Sequence, residues 1–158
     1  MRVVIQRVTR ATVRRVDVDP PEAAHIGSGL LLLAGFRVGD DDAVLRWMAE
    51  KCLGLRVFAD DAGAMNRSVE DVGGALLVVP NFTLYGDPRQ GRRPSFTDAA
   101  PPAVACERFD RFVACLRRGP VPVQIGFFQA AMQVELVNDG PVTLLIERDA
   151  GAPAAPSC

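Results

Sequence analysis

The sequence is poor in the residues that most hydrolytic and metal sites use: it has one histidine, His25, and one lysine, Lys51, in 158 residues. A nucleophile–histidine triad would have only His25 to supply its base. The four cysteines show no C-x-x-C spacing and have no histidine beside them, so zinc binding and a disulfide framework are poorly supported. We expect reduced thiols in a cytoplasmic protein with no metal and no cofactor.

The sequence also lacks a net positive charge, because it has 18 basic and 19 acidic residues. This balance argues against a protein held to nucleic acid mainly by net charge, although a local basic patch remains open. The apolar run at 30–34 is far shorter than the roughly 20 residues of a membrane span. Arg2, Gln6 and Arg7 interrupt the N-terminus, so we expect no signal peptide and no membrane association.

Hydrophobic residues make up 49% of the chain, enough for the core of one domain. β-branched and apolar runs predict strands over 3–8, 12–18, 29–36, 55–58, 75–79, 82–85, 132–138 and 142–146. A stripe from Val44 to Leu55 after an Asp40–Asp42 cap predicts a helix, and Pro101-Pro102 opens a second one with a buried face from Ala105 to Leu116. Neither helix is expected to join two strands in a regular βαβ repeat, so a doubly wound sheet is disfavoured. We predict a β-dominated α+β domain over 1–148 and a loose tail over 149–158.

The segment from Val79 to Gly86 carries unusual local chemistry. A strand that stops at Pro80 and then resumes can leave the N–H groups of Phe82 and Thr83 without ladder partners, and such donors suit a developing oxyanion. The Thr83 hydroxyl adds a polar atom beside them. The alternative is an ordinary edge strand with a bulge at Pro80.

Two further segments attract attention. Asp139-Gly140-Pro141 is a predicted turn, and a cis Gly–Pro bond there would aim two carbonyl oxygens to one side as acceptors for an ammonium group; an ordinary hairpin is the alternative. Arg89, Arg92 and Arg93 lie on a Gly/Pro-rich loop beside an aromatic residue, which favours phosphate binding and base stacking, or simply a solvated loop.

Several motifs in this order resemble the D-aminoacyl-tRNA deacylase family, formerly called D-tyrosyl-tRNA deacylases, nearly from end to end. They are Met-Arg-Val-Val-Ile-Gln-Arg-Val at 1–8, Gly-Gly-Ala-Leu-Leu-Val-Val at 73–79, Phe-Thr-Leu-Tyr-Gly-Asp at 82–87, Arg-Pro-Ser-Phe at 93–96, Ala-Ala-Pro-Pro at 99–102 and Met-Gln-Val-Glu-Leu-Val-Asn-Asp-Gly-Pro-Val-Thr at 132–143. The resemblance implies a β-rich, barrel-like single domain with two helices that forms a homodimer. It also implies hydrolysis of the ester between a D-amino acid, or glycine, and the terminal adenosine of tRNA.

Site roles follow from the same resemblance. Gly140 and Pro141, joined by a cis bond, would enter the partner's pocket and grip the α-ammonium group, so that an L side chain is rejected sterically. Arg7 would help to hold that arrangement, and Phe128 and Met132, with Phe127, would line the adenosine site. Family accounts make the threonine at 83 a nucleophile or leave activation to the substrate's ribose 2′-hydroxyl and backbone N–H groups. Because His25 lies far from every motif, we favour the backbone and the substrate.

One departure from the family concerns the usual Ser-Gln-x-Thr-Leu, which here reads Pro80-Asn81-Phe82-Thr83-Leu84. Proline removes a hydroxyl and a backbone donor, and asparagine is one methylene shorter than glutamine. Two alternatives therefore accompany the predicted deacylase. One is a non-catalytic binder of aminoacyl-tRNA ends, and the other is a deacylase with relaxed specificity.

Overall fold

Strand β1 organises the fold, because three other strands pair with it. The computed structural model describes residues 1–151. Its elements are β1 (Arg2–Arg15), β2 (Glu22–Ile26), β3 (Gly29–Gly35), α1 (Asp42–Gly54), β4 (Phe58–Ala59), β5 (Met65–Arg67), β6 (Ala75–Pro80), a 3₁₀ helix (Phe82–Tyr85), α2 (Pro102–Leu116), β7 (Val123–Ile125) and β8 (Met132–Glu147). Strands β4 and β5 form a separate two-stranded sheet.

The main sheet runs in the order β2-β1-β3-β6-β7, with β8 on the free side of β1. The first half of β1 pairs antiparallel with β3, from Arg2↔Gly35 to Val8↔Gly29, and its second half pairs with β2. Strand β8 follows β1 along the opposite side. The result is a nearly closed, barrel-like sheet with two helices packed on it, which confirms the predicted α+β class.

The core forms where the sequence is most continuously apolar. Leu30, Leu31 and Leu32 of β3 are fully buried, as a strand covered on both faces requires. Helix α1 begins as predicted, because Asp41 accepts a hydrogen bond from the Val44 N–H at 2.9 Å. The Phe112 ring of α2 is fully buried and meets the Phe36 ring edge-on with centroids 6.3 Å apart.

Three predictions about these elements are wrong. Strand β1 is one strand and not two, because residues 10 and 11 also pair with β8. The residues 55–58 contribute only Phe58 to a strand. Each helix does lie in a crossover between parallel neighbours, α1 between β3 and β6 and α2 between β6 and β7. The sheet is nevertheless mixed, since β1 pairs antiparallel with all three of its partners.

Most of the predicted tail, 149–158, lies outside the described residues. Within residues 1–151 no helix is both long enough and apolar enough to cross a membrane.

Candidate active site

A largely apolar cavity of about 790 Å³ opens beside the end of β6. Pro80, Asn81 and Phe82 form one wall, and Phe128 and Met132 contribute to another. The remaining lining residues are Gln6, Leu31, Leu33, Phe36, Val79, Phe96, Ala99, Ala100, Pro101, Pro102, Ala105, Phe127, Gln129, Ala130, Val134 and Leu136. A cavity of this size with few polar groups is suited to a small organic ligand or the end of a larger one. We call it the central cavity.

The chain is fixed where β6 ends. Pro80 lies opposite Ala34 in the parallel ladder, and the Asn81 N–H donates to the Ala34 carbonyl at 2.8 Å. Gly35 permits this close approach, since a Cβ on it would lie 2.9 Å from the Asn81 carbonyl oxygen. The backbone entering the 3₁₀ helix is therefore held by main-chain contacts rather than by side chains alone.

The segment Phe82–Tyr85 is a 3₁₀ helix, and the prediction of an extended strand there is wrong. The Asn81 side chain causes the difference by capping the helix: its Oδ1 accepts from the Thr83 N–H at 3.1 Å. The same oxygen accepts from the Thr83 hydroxyl at 2.5 Å. The Asn81 Oδ1 thus accepts from both hydrogen-bond donors of Thr83.

These contacts leave Thr83 without a side-chain base among residues 1–151. An amide oxygen accepts a hydrogen bond but does not take a proton at ordinary pH. His25 is exposed on β2, opposite Thr12 in the ladder, and is not part of the cavity lining. Among residues 1–151, the side chain in contact with the Thr83 hydroxyl is therefore not one that could activate it as a nucleophile.

The prediction of two unpaired backbone donors holds for one of them. The Thr83 N–H is taken by Asn81, whereas the Phe82 N–H makes no hydrogen bond within the described part of the chain. Phe82 lines the central cavity and is 57% exposed, and its ring meets that of Phe96 edge-on with centroids 5.1 Å apart. A free N–H at the rim of a cavity can polarise a carbonyl oxygen placed there.

The wall predicted to bind adenosine is built by the chain after β7. The Gly126 N–H donates to the Val78 carbonyl at 2.8 Å, which anchors this wall to β6. The Phe127 N–H contacts the Met132 sulfur at 3.3 Å, and the Phe128 ring packs on Phe109 with centroids 6.4 Å apart. Aromatic rings and a thioether offer a planar base an apolar surface to stack on.

Gly140 and Pro141 lie outside the central cavity, exposed on β8. The bond between them is cis, as the resemblance implies, but the segment is no hairpin turn, because β8 runs antiparallel to β1 on both sides of it. Arg7 supports its start: Nε donates to the Asp139 carbonyl at 3.0 Å and pairs with its carboxylate at 3.1 Å. Arg7 also donates to the carbonyl of Val57.

The arginine loop is exposed, and Phe96, directly after it, lines the central cavity. Asp87 and Ser95 pair through both backbone hydrogen bonds and close the loop. Arg89 folds back onto Asp87 with side-chain bonds of 2.8 and 2.7 Å, which lower the pKa of that carboxyl to about 2. Arg92 and Arg93 are exposed. The three arginines thus face solvent and not the central cavity.

Sequence reasoning missed several walls of the cavity. Gln6 of β1, Gln129 and the segment 99–102 all line it. Gln6 and 99–102 belong to motifs but were given no role in a site, and Gln129 was not singled out. Gln129 has a positive φ of 51°, rare for a residue with a side chain. Within residues 1–151 no three His, Cys, Asp or Glu side chains cluster as metal ligands would.

Comparison with known proteins identifies relatives over almost the whole chain. The family model described as D-Tyr-tRNA(Tyr) deacylase matches residues 4–147. A D-aminoacyl-tRNA deacylase of Carboxydothermus hydrogenoformans is 54% identical over 147 residues, covering 93% of this chain and 99% of the relative. One from Desulfitobacterium hafniense is 55% identical over 149 residues, covering 94% and 98%.

Two solved structures share the fold. The c-Myc DNA unwinding element binding protein superposes with a TM-score of 0.85 at 37% identity, covering 95% of this chain and 100% of that one. A probable eukaryotic D-amino acid tRNA deacylase gives a TM-score of 0.77 at 20% identity, covering 92% and 97%. At that identity the second likeness concerns the fold alone.

Proposed function

Because the chain belongs to the D-Tyr-tRNA(Tyr) deacylase family, we propose that it hydrolyses the ester of D-aminoacyl-tRNA and of glycyl-tRNA. The products are the free amino acid and tRNA. The observation that carries the proposal is the unpaired Phe82 N–H at the rim of the central cavity, next to a hydroxyl that has no base. This arrangement suits an ester whose carbonyl must be polarised from the protein backbone.

In the proposed complex the terminal adenosine lies in the central cavity against Phe128 and Met132, and Asn81 holds the 3₁₀ helix at its entrance. The ester carbonyl oxygen faces the Phe82 N–H. Water adds to the carbonyl carbon, and the negative charge that develops on oxygen is stabilised by that donor. The bond to the ribose oxygen then breaks, and this oxygen takes a proton as the tRNA leaves.

Thr83 is not a nucleophile in this proposal; it is exposed and follows Asn81 and Phe82, which line the central cavity. Its hydroxyl proton is directed at the Asn81 amide oxygen, which does not remove it. Activation of the attacking water is left to the ribose 2′-hydroxyl of the substrate. The proline that replaces the family's usual serine at Pro80 does not remove the donor that this proposal uses, because that donor is the Phe82 N–H.

Chiral selection is assigned to Gly140 and Pro141 of a second copy of the chain. Their exposure on β8, away from their own cavity, supports delivery to a partner. Strand β8 supports a homodimer, because among residues 1–151 it pairs only with β1 and exposes Leu145 to 59%. Carbonyl oxygens of Gly140 and Pro141 would accept from the α-ammonium group, leaving no room for an L side chain.

The exposed loop arginines Arg89, Arg92 and Arg93 are proposed to contact the phosphates of the acceptor end. Since aminoacyl-tRNA is made and used in the cytoplasm, the proposed activity places the protein there. The non-catalytic and relaxed-specificity alternatives are not favoured, because relatives more than 50% identical are named D-aminoacyl-tRNA deacylases.

The experiment is deacylation of D-Tyr-tRNA, Gly-tRNA and L-Tyr-tRNA by the purified protein, with the released amino acid and the rechargeable tRNA both measured. We expect turnover of the first two substrates and not of the third. Turnover of none would support a binder, and turnover of L-Tyr-tRNA would support relaxed specificity. Sedimentation of the same sample is expected to give a dimer.

A further inference from the structure

The ladder between β1 and β8 contains a large bulge around Gly140 and Pro141. Gln6 lies opposite Thr143 and Val8 opposite Asn138, so the four residues 139–142 face the single residue Arg7. Residues in such a bulge lose their ladder partners, and other groups must satisfy and hold their backbone.

The Asn138 side chain supplies those partners across the neck of the bulge. Its Oδ1 accepts from the Val142 N–H at 2.8 Å, and its Nδ2 donates to the Val142 carbonyl at 3.2 Å. The same Nδ2 donates to the Thr143 hydroxyl oxygen at 3.1 Å, which also accepts from Gln6 Nε2 at 3.2 Å. One amide therefore gives Val142 both of the contacts that a neighbouring strand would give.

Asn138 and Arg7 hold different ends of the bulge. Arg7 binds the backbone at Asp139, where the bulge begins, whereas Asn138 binds it at Val142, where it ends. Between them stands Gly140 with φ of 130°, where a Cβ would lie 2.8 Å from a Val142 methyl carbon and 3.0 Å from an Arg7 nitrogen. The directions of the Gly140 and Pro141 carbonyls thus depend on where Val142 is held.

We propose that Asn138 is a positioning residue that sets the direction of these two carbonyls and thereby the preference for D over L substrates. This inference rests on the function proposed above. Asn138 lies on a different element from Phe82 and Thr83, so its loss acts on discrimination and leaves the group that polarises the ester in place. The Thr143 hydroxyl, which accepts from Asn138 Nδ2, helps to hold the Asn138 side chain in place.

The test is the ratio of kcat/KM for D-Tyr-tRNA to that for L-Tyr-tRNA, measured on the full-length protein. In Asn138→Ala we expect this ratio to fall by about tenfold or more, equivalent to about 1.4 kcal/mol. The fall should come from a gain in L-Tyr-tRNA deacylation, while D-Tyr-tRNA turnover keeps its order of magnitude.

Thr143 offers a matched pair of milder variants. Thr143→Val keeps the shape but removes the oxygen that accepts from Asn138, and the ratio should fall; Thr143→Ser keeps the oxygen and should keep the ratio. If the Asn138→Ala variant does not fold, the difference in ratio between Thr143→Val and Thr143→Ser tests the proposal. Asn66→Ala is the control, because Asn66 also donates a side-chain hydrogen bond, to Asp60 at 2.6 Å, but lies on β5.

Three results would overturn the inference. One is a folded Asn138→Ala with the wild-type ratio. Another is loss of D-Tyr-tRNA turnover without any gain for L-Tyr-tRNA, which would make Asn138 a support of catalysis. The last is an equal ratio in the two Thr143 variants. A wild-type protein inactive on D-Tyr-tRNA would instead refute the proposed function itself.

Discussion

Replacing Thr83 by alanine distinguishes a nucleophile from a residue that only makes hydrogen bonds beside the cavity, by the size of the effect. The hydroxyl has one partner in the described structure, the Asn81 amide oxygen at 2.5 Å, and the Thr83 N–H keeps its own bond to that oxygen when the side chain is shortened. One neutral hydrogen bond contributes about 0.5–1.5 kcal/mol, which corresponds to a loss of about tenfold at most. Removing a true nucleophile costs far more, about 10⁶-fold in a serine protease.

The assay is single-turnover deacylation of D-Tyr-tRNA with enzyme in excess, so that the chemical step is observed rather than product release. We expect Thr83→Ala to keep at least about a tenth of the wild-type rate. Thr97→Ala is the matched control, because Thr97 is an exposed threonine that does not line the central cavity and whose hydroxyl lies 3.4 Å from that of Ser95. Its rate should not change.

A loss of about 10⁴-fold or more in the rate of Thr83→Ala, with the melting temperature unchanged, would refute the reasoning and make Thr83 a nucleophile.

A second variant, Asn81→Ala, tests the hydrogen bonds that Asn81 makes to Thr83. It frees both the Thr83 N–H and the hydroxyl and uncaps the 3₁₀ helix, so it should slow the reaction more than Thr83→Ala does. An Asn81→Ala variant as fast as wild type would contradict the role given to this cap.

Three further predictions concern the loop, the 3₁₀ helix and the core. Changing Arg89, Arg92 and Arg93 to glutamine should raise KM for aminoacyl-tRNA and lower the slope of log affinity against log salt concentration by about two, while deacylation of an aminoacyl-adenosine is spared. Gly35→Ala should slow deacylation, because its Cβ would lie 2.9 Å from the Asn81 carbonyl oxygen. Phe112→Ala should lower the free energy of unfolding by about 3–5 kcal/mol in urea titration, since the ring is fully buried.

The loop variant and the Gly35 variant each have a control of the same chemical kind. Arg46, Arg117 and Arg118 are exposed on or next to the helices, and their change to glutamine should leave KM and the salt slope as they are. Gly39→Ala adds the same methyl group where nothing lies within 4 Å. Equal effects in the loop variant and its control would show that the loop is only a solvated surface. Equal effects of Gly35→Ala and Gly39→Ala would show that Gly35 is not specially required at the end of β3. A loss below about 1 kcal/mol for Phe112→Ala would contradict the core packing.

The spacing of apolar residues and the capping residues were enough to predict the elements whose formation depends on neighbouring residues in the sequence. Helix α1 and strand β3 are where the apolar spacing, the Asp41 cap and the continuous leucines put them. The 3₁₀ helix was missed, because a single side-chain bond from Asn81 to the Thr83 N–H decides it, and strand propensity does not reveal such a bond.

Long-range pairing accounts for what the sequence did not reveal about the site. A Gly-Pro pair between two apolar runs is typical of a hairpin, in which the two runs pair with each other. Here both runs pair with β1 instead, as the register Gln6↔Thr143 and Val8↔Asn138 shows. The central cavity likewise collects residues from β1, β3, β6 and β8. The motifs named many of its residues through their resemblance to a family, but not how they meet.

The central claim is that backbone groups of this fold sort aminoacyl-tRNA by handedness. Its most direct measurement is the single-turnover rate of the wild-type protein on D-Tyr-tRNA and on L-Tyr-tRNA, at equal concentration and in parallel. The account predicts rapid release of D-tyrosine and no release of L-tyrosine above the rate of spontaneous hydrolysis. Equal rates on the two substrates, or no release of D-tyrosine, would contradict it.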